Sequence, residues 1–167
     1  MTAAPVQIRA ADLGDLEAIR RIYNEGIEDG LATLDAEAKS AKEMRRWWAQ
    51  HGQRFAILVA ARDQGEVIGW ASLNPYSHRC AHAGVADLSV YVRRDSRGMR
   101  IGWSLLRALE PVARQRNFHK IVLFALERNA QGKALYRKQG YREVGILREH
   151  GKLDGQFVDV VAMEKIL

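Results

Sequence analysis

The residues of this chain best placed to do chemistry together lie at one junction. Ser89-Val90-Tyr91-Val92 reads as a strand, Arg93 to Arg100 as a basic loop, and a helix begins at about Ile101. Arg93, Arg94, Arg97 and Arg100 fall in one short stretch opposed only by Asp95. Free backbone N–H groups at a helix N-terminus bind phosphate, and the positive end of the helix dipole adds to the attraction. Arginines contribute charge-assisted hydrogen bonds, and Gly98 and Gly102 let the backbone approach an anion closely. Together these features read as a pyrophosphate cradle. An ordinary strand-to-helix turn with solvated arginines explains the same residues, and alone they leave the two readings level.

Other chemistries lack their signatures. The chain has no G-x-x-x-x-G-K-S/T, G-x-G-x-x-G, H-E-x-x-H or G-x-S-x-G, so nucleotide hydrolysis, zinc proteolysis and α/β-hydrolase chemistry are not indicated. The five histidines, at 51, 78, 82, 119 and 150, show no helical metal-ligand pairing, and no metal is expected. His78 and His82 stand four apart but in a Pro-containing loop. Cys80 is the single cysteine, which excludes an internal disulfide; it reads as a bystander.

The elements that must position the junction fit one domain, 1–167. At 167 residues, 47% hydrophobic and 28% charged, the chain can bury a core without staples. No apolar run approaches a membrane span, and Met1 to Ala11 lacks a signal peptide's basic start and apolar stretch. A cytoplasmic globular protein is expected. The net charge of +6 favours an anionic partner. A nucleic-acid module would need a recognition helix or stacking platform, and neither appears.

Val6 to Arg9 reads as a first strand. Leu16, Ile19, Tyr23 and Ile27 recur at helical spacing, which predicts a helix over Leu13 to Glu28. Ser40 and Glu43 form a capping box before Met44, Trp47 and Trp48, with Gly52 ending that helix near His51. Phe55 to Ala61 is a buried strand, and Asp63-Gln64-Gly65 turns into its partner, Glu66 to Leu73. Asp87 to Val92 is the next strand. After the basic loop, Ile101, Leu105, Leu109 and Val112 make one helical stripe. Ile121 to Leu126 is a strand, Ala130 to Gln139 a short helix closed by Gly140, and Tyr141 to Arg148 and Phe157 to Met163 a hairpin across Asp154-Gly155. The expected class is α/β, with a mixed, mostly antiparallel central sheet and about four helices on its faces.

Over nearly its whole length the chain resembles the GCN5-related N-acetyltransferase superfamily. LSVYVRRDSRGMRIGWSLL, followed by RNAQGKALYRKQGYREVG, is similar to its acetyl-CoA signature, R/Q-x-x-G-x-G/A. IYNEGIEDGLATLD, VIGWASLNPY, VADLSVYV and LREHGKLDGQFVDVVAMEK resemble the phosphinothricin, methionine sulfoximine and arsinothricin acetyltransferase branch. The resemblance implies direct acetyl transfer from acetyl-CoA to the α-amine of a small amino-acid-like acceptor, and commonly a homodimer. It implies that Val90, Tyr91 and Val92 present backbone groups to the thioester and pantetheine from a splayed strand. Arg97, Gly98, Met99, Arg100, Ile101, Gly102 and Trp103 would wrap the pyrophosphate, and Asn129 would contact the cofactor arm. Tyr136 falls where a general acid stands and Asp87 where the branch has a glutamate base. Leu88 and Ser89 would face the acceptor, with Ser77, His78 and Arg79 lining its pocket.

Each position also has a plain reading. Asp87 fits a structural carboxylate, Tyr136 a core ring, Asn129 a helix N-cap and Arg79 a surface charge. Two departures stand out: Arg100 replaces the usual glycine of the phosphate loop, and Asp87 is one methylene shorter than glutamate. Other outcomes open to the sequence are acetylation of a protein N-terminus or another small amine, and a non-catalytic acyl-CoA sensor.

Overall fold

The computed structural model describes residues 5–167; residues 1–4, part of the N-terminal stretch read above for a leader, lie outside it. The chain runs β1 (Gln7–Ala10), α1 (Leu16–Asp29), α2 (Ala41–His51), β2 (Ile57–Ala61), β3 (Val67–Pro75), β4 (Val85–Val92), α3 (Ile101–Gln115), β5 (Lys120–Leu126), α4 (Ala130–Lys138), β6 (Arg142–Leu153) and β7 (Gln156–Ile166). The order of helices and strands is the one the periodicity predicts. Boundaries differ where capping decides them. Leu13–Asp15, read as helix, is a separate 3-10 turn capped by Asp12. The Ser40 capping box forms as expected, with the Ser40 N–H donating to Glu43 Oε2 at 2.7 Å. The last hairpin is longer than expected because β6 and β7 continue to the Asp154-Gly155 turn, where both residues have positive φ.

The seven strands form one sheet, β1-β2-β3-β4-β5-β7-β6. Every neighbouring pair is antiparallel except β4 with β5. That parallel pair holds register only over Val85↔Lys120, Ala86↔Ile121 and Asp87↔Val122. Beyond Asp87, β4 stays on β3 while β5 stays on β7. The sheet therefore parts between Leu88–Val92 and Leu123–Leu126.

Two cores cover the two faces. On one, Ile101, Leu105, Leu106, Leu109 and Ala113 of α3 bury against Leu58, Leu73, Leu88, Ile121 and Leu123, with Leu135 and Tyr136 of α4 packed alongside. On the other, α1 and α2 set Ile19, Ile22 and Met44 on Val59 and Trp70. Each fully buried aliphatic side chain contributes about 1.5–3 kcal/mol of transfer free energy.

Gly69 of β3 ties this packing to the basic junction. A Cβ there would stand 2.9 Å from Ile101 Cγ2, 3.2 Å from Tyr91 O and 3.3 Å from Leu105 Cδ1. The absence of a side chain lets the first turn of α3 lie against the sheet. Gly69→Val is expected to cost about 1–3 kcal/mol through overpacking. Thermal melting checks this, with an expected fall of about 2–4 °C per kcal/mol.

Candidate active site

The parting of the sheet turns backbone groups outward. Arg93 N–H donates to Ile68 O at 2.9 Å, so Arg93 faces β3. Strand alternation then points the N–H and C=O of Leu88, Val90 and Val92 toward β5, which is no longer paired there. Tyr91 differs from expectation: its backbone faces β3, opposite Trp70, and its ring stacks on Trp70 at 5.0 Å and meets Tyr23 edge-on at 4.8 Å. A cleft of about 600 Å³ fills the parting, lined by Val90, Tyr91 and Val92, by Phe124 of β5, by Tyr136, and by the start of α3.

At that start, Ile101, Gly102 and Trp103 have no partner for their N–H groups in the preceding turn. The first helical bond is Ser104 N–H to Arg100 O, 3.0 Å. The N-cap side chain, Arg100, does not cover them. Gly102 brings α3 against α4, since a Cβ there would stand 3.0 Å from Leu135 Cδ2. A polyphosphate with an extended arm fits these donors and this cleft. Met99, expected in the cradle, is exposed and directs its sulfur toward Arg62 at 3.7 Å, because the turn at Gly98 rotates it outward. Asn129 lines the cleft and is also the N-cap of α4, its Oδ1 accepting from Gly132 N–H at 2.9 Å.

The four arginines are not equivalent. Arg93 pairs with Glu66 and Asp95, both at 2.7 Å. Arg94 and Arg97 converge on Asp29 at 2.8 and 2.5 Å, and Arg97 Nε also donates to Val92 O at 3.2 Å. Arg100 is exposed and makes no ion pair among the described residues. Its backbone sits at φ 60°, ψ 16°, the left-handed region that suits the usual glycine. A non-glycine residue costs about 1–2 kcal/mol there. Arg100→Gly is therefore expected to have two opposed effects. Stability should rise by up to about 1 kcal/mol, because glycine's extra freedom when unfolded offsets part of the relief. Affinity for an anionic cofactor should fall about three- to tenfold, as one free cation leaves the cradle. Melting and calorimetry on the same variant separate the two.

Asp87 is the last residue of the paired segment. It is half-buried, and burial pushes its carboxyl up to about 6, against the Asn74 and Leu88 N–H donors that favour the ionised form. Asn74 Nδ2 donates to Asp87 Oδ2 at 3.1 Å and to Ser89 Oγ at 2.9 Å. Tyr136, half-buried in the main cleft, has its phenol raised well above the ordinary value chiefly by burial, with the Asp87 carboxylate adding to the shift. The hydroxyl stays protonated across neutral pH.

A second hollow of about 280 Å³ opens on the α1–α2 face, lined by Tyr23, Lys39, Arg46, Trp47, Asn74 and Ser89 among others. Ser89, expected to face an acceptor, lines this hollow. Leu88, expected there with it, does not: its side chain is 6% exposed and packs under α3, because alternation turns it to the other face. Ser77, His78 and Arg79 line neither cleft. Pro75 ends β3, the Ser77 Oγ accepts the Arg79 N–H at 3.1 Å, and this tight turn leaves His78 and Arg79 exposed. Sequence reasoning also missed Asn74, His51 and Phe124. The signal available for Asn74 was its place at the end of a strand, opposite Asp87.

Fold and site define a transferase with room for a long, phosphate-bearing donor in the parted sheet. The chain matches the model of the Acetyltransferase (GNAT) domain over residues 8–162, and it belongs to that acetyltransferase family. It is 32% identical over 158 residues to the L-methionine sulfoximine/L-methionine sulfone acetyltransferase of Pseudomonas paraeruginosa, covering 94% of this chain and 92% of the relative. Among solved structures it is similar to the ribosomal-protein-alanine N-acetyltransferase of Brucella melitensis, with TM-score 0.91, 34% identity, and 96% and 99% of the two chains covered. It is also similar to a phosphinothricin acetyltransferase of Sinorhizobium meliloti in complex with acetyl-CoA, with TM-score 0.91, 28% identity, and 97% and 88% covered.

Proposed function

We propose that the protein transfers acetyl from acetyl-CoA to the α-amine of a small amino-acid-like acceptor of the phosphinothricin, arsinothricin or methionine sulfone and sulfoximine type. The observation that carries this reading is the parting of β4 from β5 immediately beyond Asp87. It sets unpaired backbone groups and a helix N-terminus on one side of a carboxylate, and a small polar hollow near its other side.

Bound acetyl-CoA supplies an activated thioester carbonyl. Ile101, Gly102 and Trp103 would hold the pyrophosphate by backbone N–H groups, with Arg100 adding charge. The Val90 N–H, free on the β5 side, would polarise the carbonyl oxygen. An acceptor amine is mostly ammonium at neutral pH. Asp87 would remove one proton, through water where the short side chain does not reach, and free the amine lone pair to attack the carbonyl carbon. Tyr136 would protonate the departing sulfur as the C–N bond forms and the C–S bond breaks, and the second proton lost by the amine would restore the phenol through solvent. Holding both reactants side by side is itself worth up to about 7–11 kcal/mol.

Arg46 at the second hollow makes no ion pair among the described residues, whereas Lys39 is paired with Asp35 at 3.1 Å. Arg46 is the cation free to grip an acceptor carboxylate. The whole chain acts as one acetyltransferase domain in the cytoplasm, where an exposed free Cys80 is at home. It is a homodimer, a reading supported by the apolar groups Val144, Ile146 and Leu147 exposed on edge strand β6.

The alternative is acetylation of a protein N-terminus, and similarity to the Brucella ribosomal-protein-alanine N-acetyltransferase does not set it above the small-acceptor reading. A thiol-release assay separates them. Free amino-acid analogues should react far better than their α-amides or alanine-ended peptides. Arg46→Ala should raise the acceptor KM while Arg79→Ala leaves it unchanged. Equal rates for acid, amide and peptide would move the N-terminus reading ahead.

A further inference from the structure

Behind Asp87 lies a histidine to which the mechanism gives no task. His51, the last residue of α2, is 5% exposed. Its Nδ1 lies 2.8 Å from Trp47 O and its Nε2 2.9 Å from Asn74 Oδ1. The same Asn74 oxygen accepts from Ser72 Oγ at 2.8 Å, and the Asn74 nitrogen donates to Asp87 and Ser89. One side-chain amide thus joins a buried imidazole to the carboxylate.

The roles along this chain are linked. Serine hydroxyls donate or accept as needed and impose nothing. A donor at His51 Nε2 holds the Asn74 oxygen toward the imidazole and so keeps the amide NH2 on Asp87, where an N–H donor favours the ionised carboxylate. Without that donor the amide can turn its oxygen toward Asp87, which favours the protonated carboxyl. Asp87 accepts from Asn74 of β3 and from the Leu88 N–H of β4; Ser89 meets the same Asn74 amide, and the Tyr136 phenol of α4 feels the Asp87 charge. Facing His51 are Trp47 of its own helix and Asn74. No lysine, arginine, aspartate or glutamate among the described residues bonds to either.

We propose that His51 is a positioning residue for the Asp87 carboxylate: through Asn74 it fixes which face of the amide the carboxylate meets, and so holds Asp87 in its ionised, proton-accepting form. The inference rests on Asp87 being the base, but its test does not require turnover.

The probe is ligand-free protein labelled with carbon-13 at the aspartate carboxyls, titrated by NMR, with the Asp87 signal identified by its loss in Asp87→Asn. The wild-type midpoint should lie at about 6. In His51→Leu it should rise by about one unit, because the donor that orients the amide is gone. His51→Gln, whose amide places an N–H near the Nε2 position, should stay closer to wild type. In an Asn74→Leu background, His51→Leu should move the midpoint no further, since the link is already cut. If His51→Leu does not fold, His51→Phe is read in the same way and keeps a ring against Trp47. An unmoved midpoint in the Leu or Phe variant, equal shifts for Leu and Gln, or additivity with Asn74→Leu overturns the proposal. The coupled titration with no acceptor acetylated would leave His51 as positioned here and remove the catalytic reading instead.

Discussion

Asp87→Asn lowers kcat by about 10²- to 10⁴-fold, the range a positioned general base contributes. Acetyl-CoA affinity stays within about twofold, because the proposed phosphate cradle lies at the start of α3 and not on this side chain. The amide keeps the shape and still meets Asn74, so the fold is retained. The pH profile gives a sharper reading. Burial raises the Asp87 carboxyl to about 6. The base is protonated and idle below that value and ionised above it, so kcat/KM in the wild type climbs through pH 6 and levels off. In Asp87→Asn that acid limb disappears from whatever rate remains. An unchanged rate with an unchanged limb would assign the proton to water or to another residue.

Tyr136→Phe is expected to reduce kcat by about ten- to a hundredfold, less than the base because water can protonate a thiolate in part. The phenol is held protonated by burial and by neighbouring negative charge, so it donates at every pH at which Asp87 is ionised. The phenyl ring keeps its place against Tyr141, 6.0 Å away edge-on, and against the α3 side of the core. The melting temperature should therefore hardly move, and KM for the acceptor should hold. A large loss of stability would show that the ring is a core residue first.

The two effects differ in what was visible before folding. Apolar periodicity and caps placed every helix and strand, because a buried stripe and a Ser40–Glu43 box act locally. The strand, glycine-arginine loop and helix start of the proposed cradle were legible too, since they follow one another along the chain. Arg100 was legible only as a departure; that its φ is 60° depends on where the loop must go. The acceptor side was the hard part. Asn74, Ser89 and Asp87 come from two strands, and His51 from a helix far off in sequence, joined only by register and by packing across a sheet face. Ser77, His78 and Arg79 have suitable chemistry next to Asp87 in sequence, yet a tight turn carries them away from both clefts. Gly69 gave no local signal at all, since its role is the space it leaves for Ile101 and Leu105.

The direct test of acetyl transfer to a free amino acid is a single-turnover reaction. Enzyme in excess over acetyl-CoA is mixed with a methionine sulfone-type acceptor, quenched, and both acceptor and protein are analysed by mass spectrometry and NMR. The account predicts one acetyl group on the acceptor's α-nitrogen, none retained on the protein, and none gained when Asp87→Asn replaces the wild type over the same interval. Acetyl left on the protein, or acceptor unchanged while acetyl-CoA remains bound and intact, would contradict it.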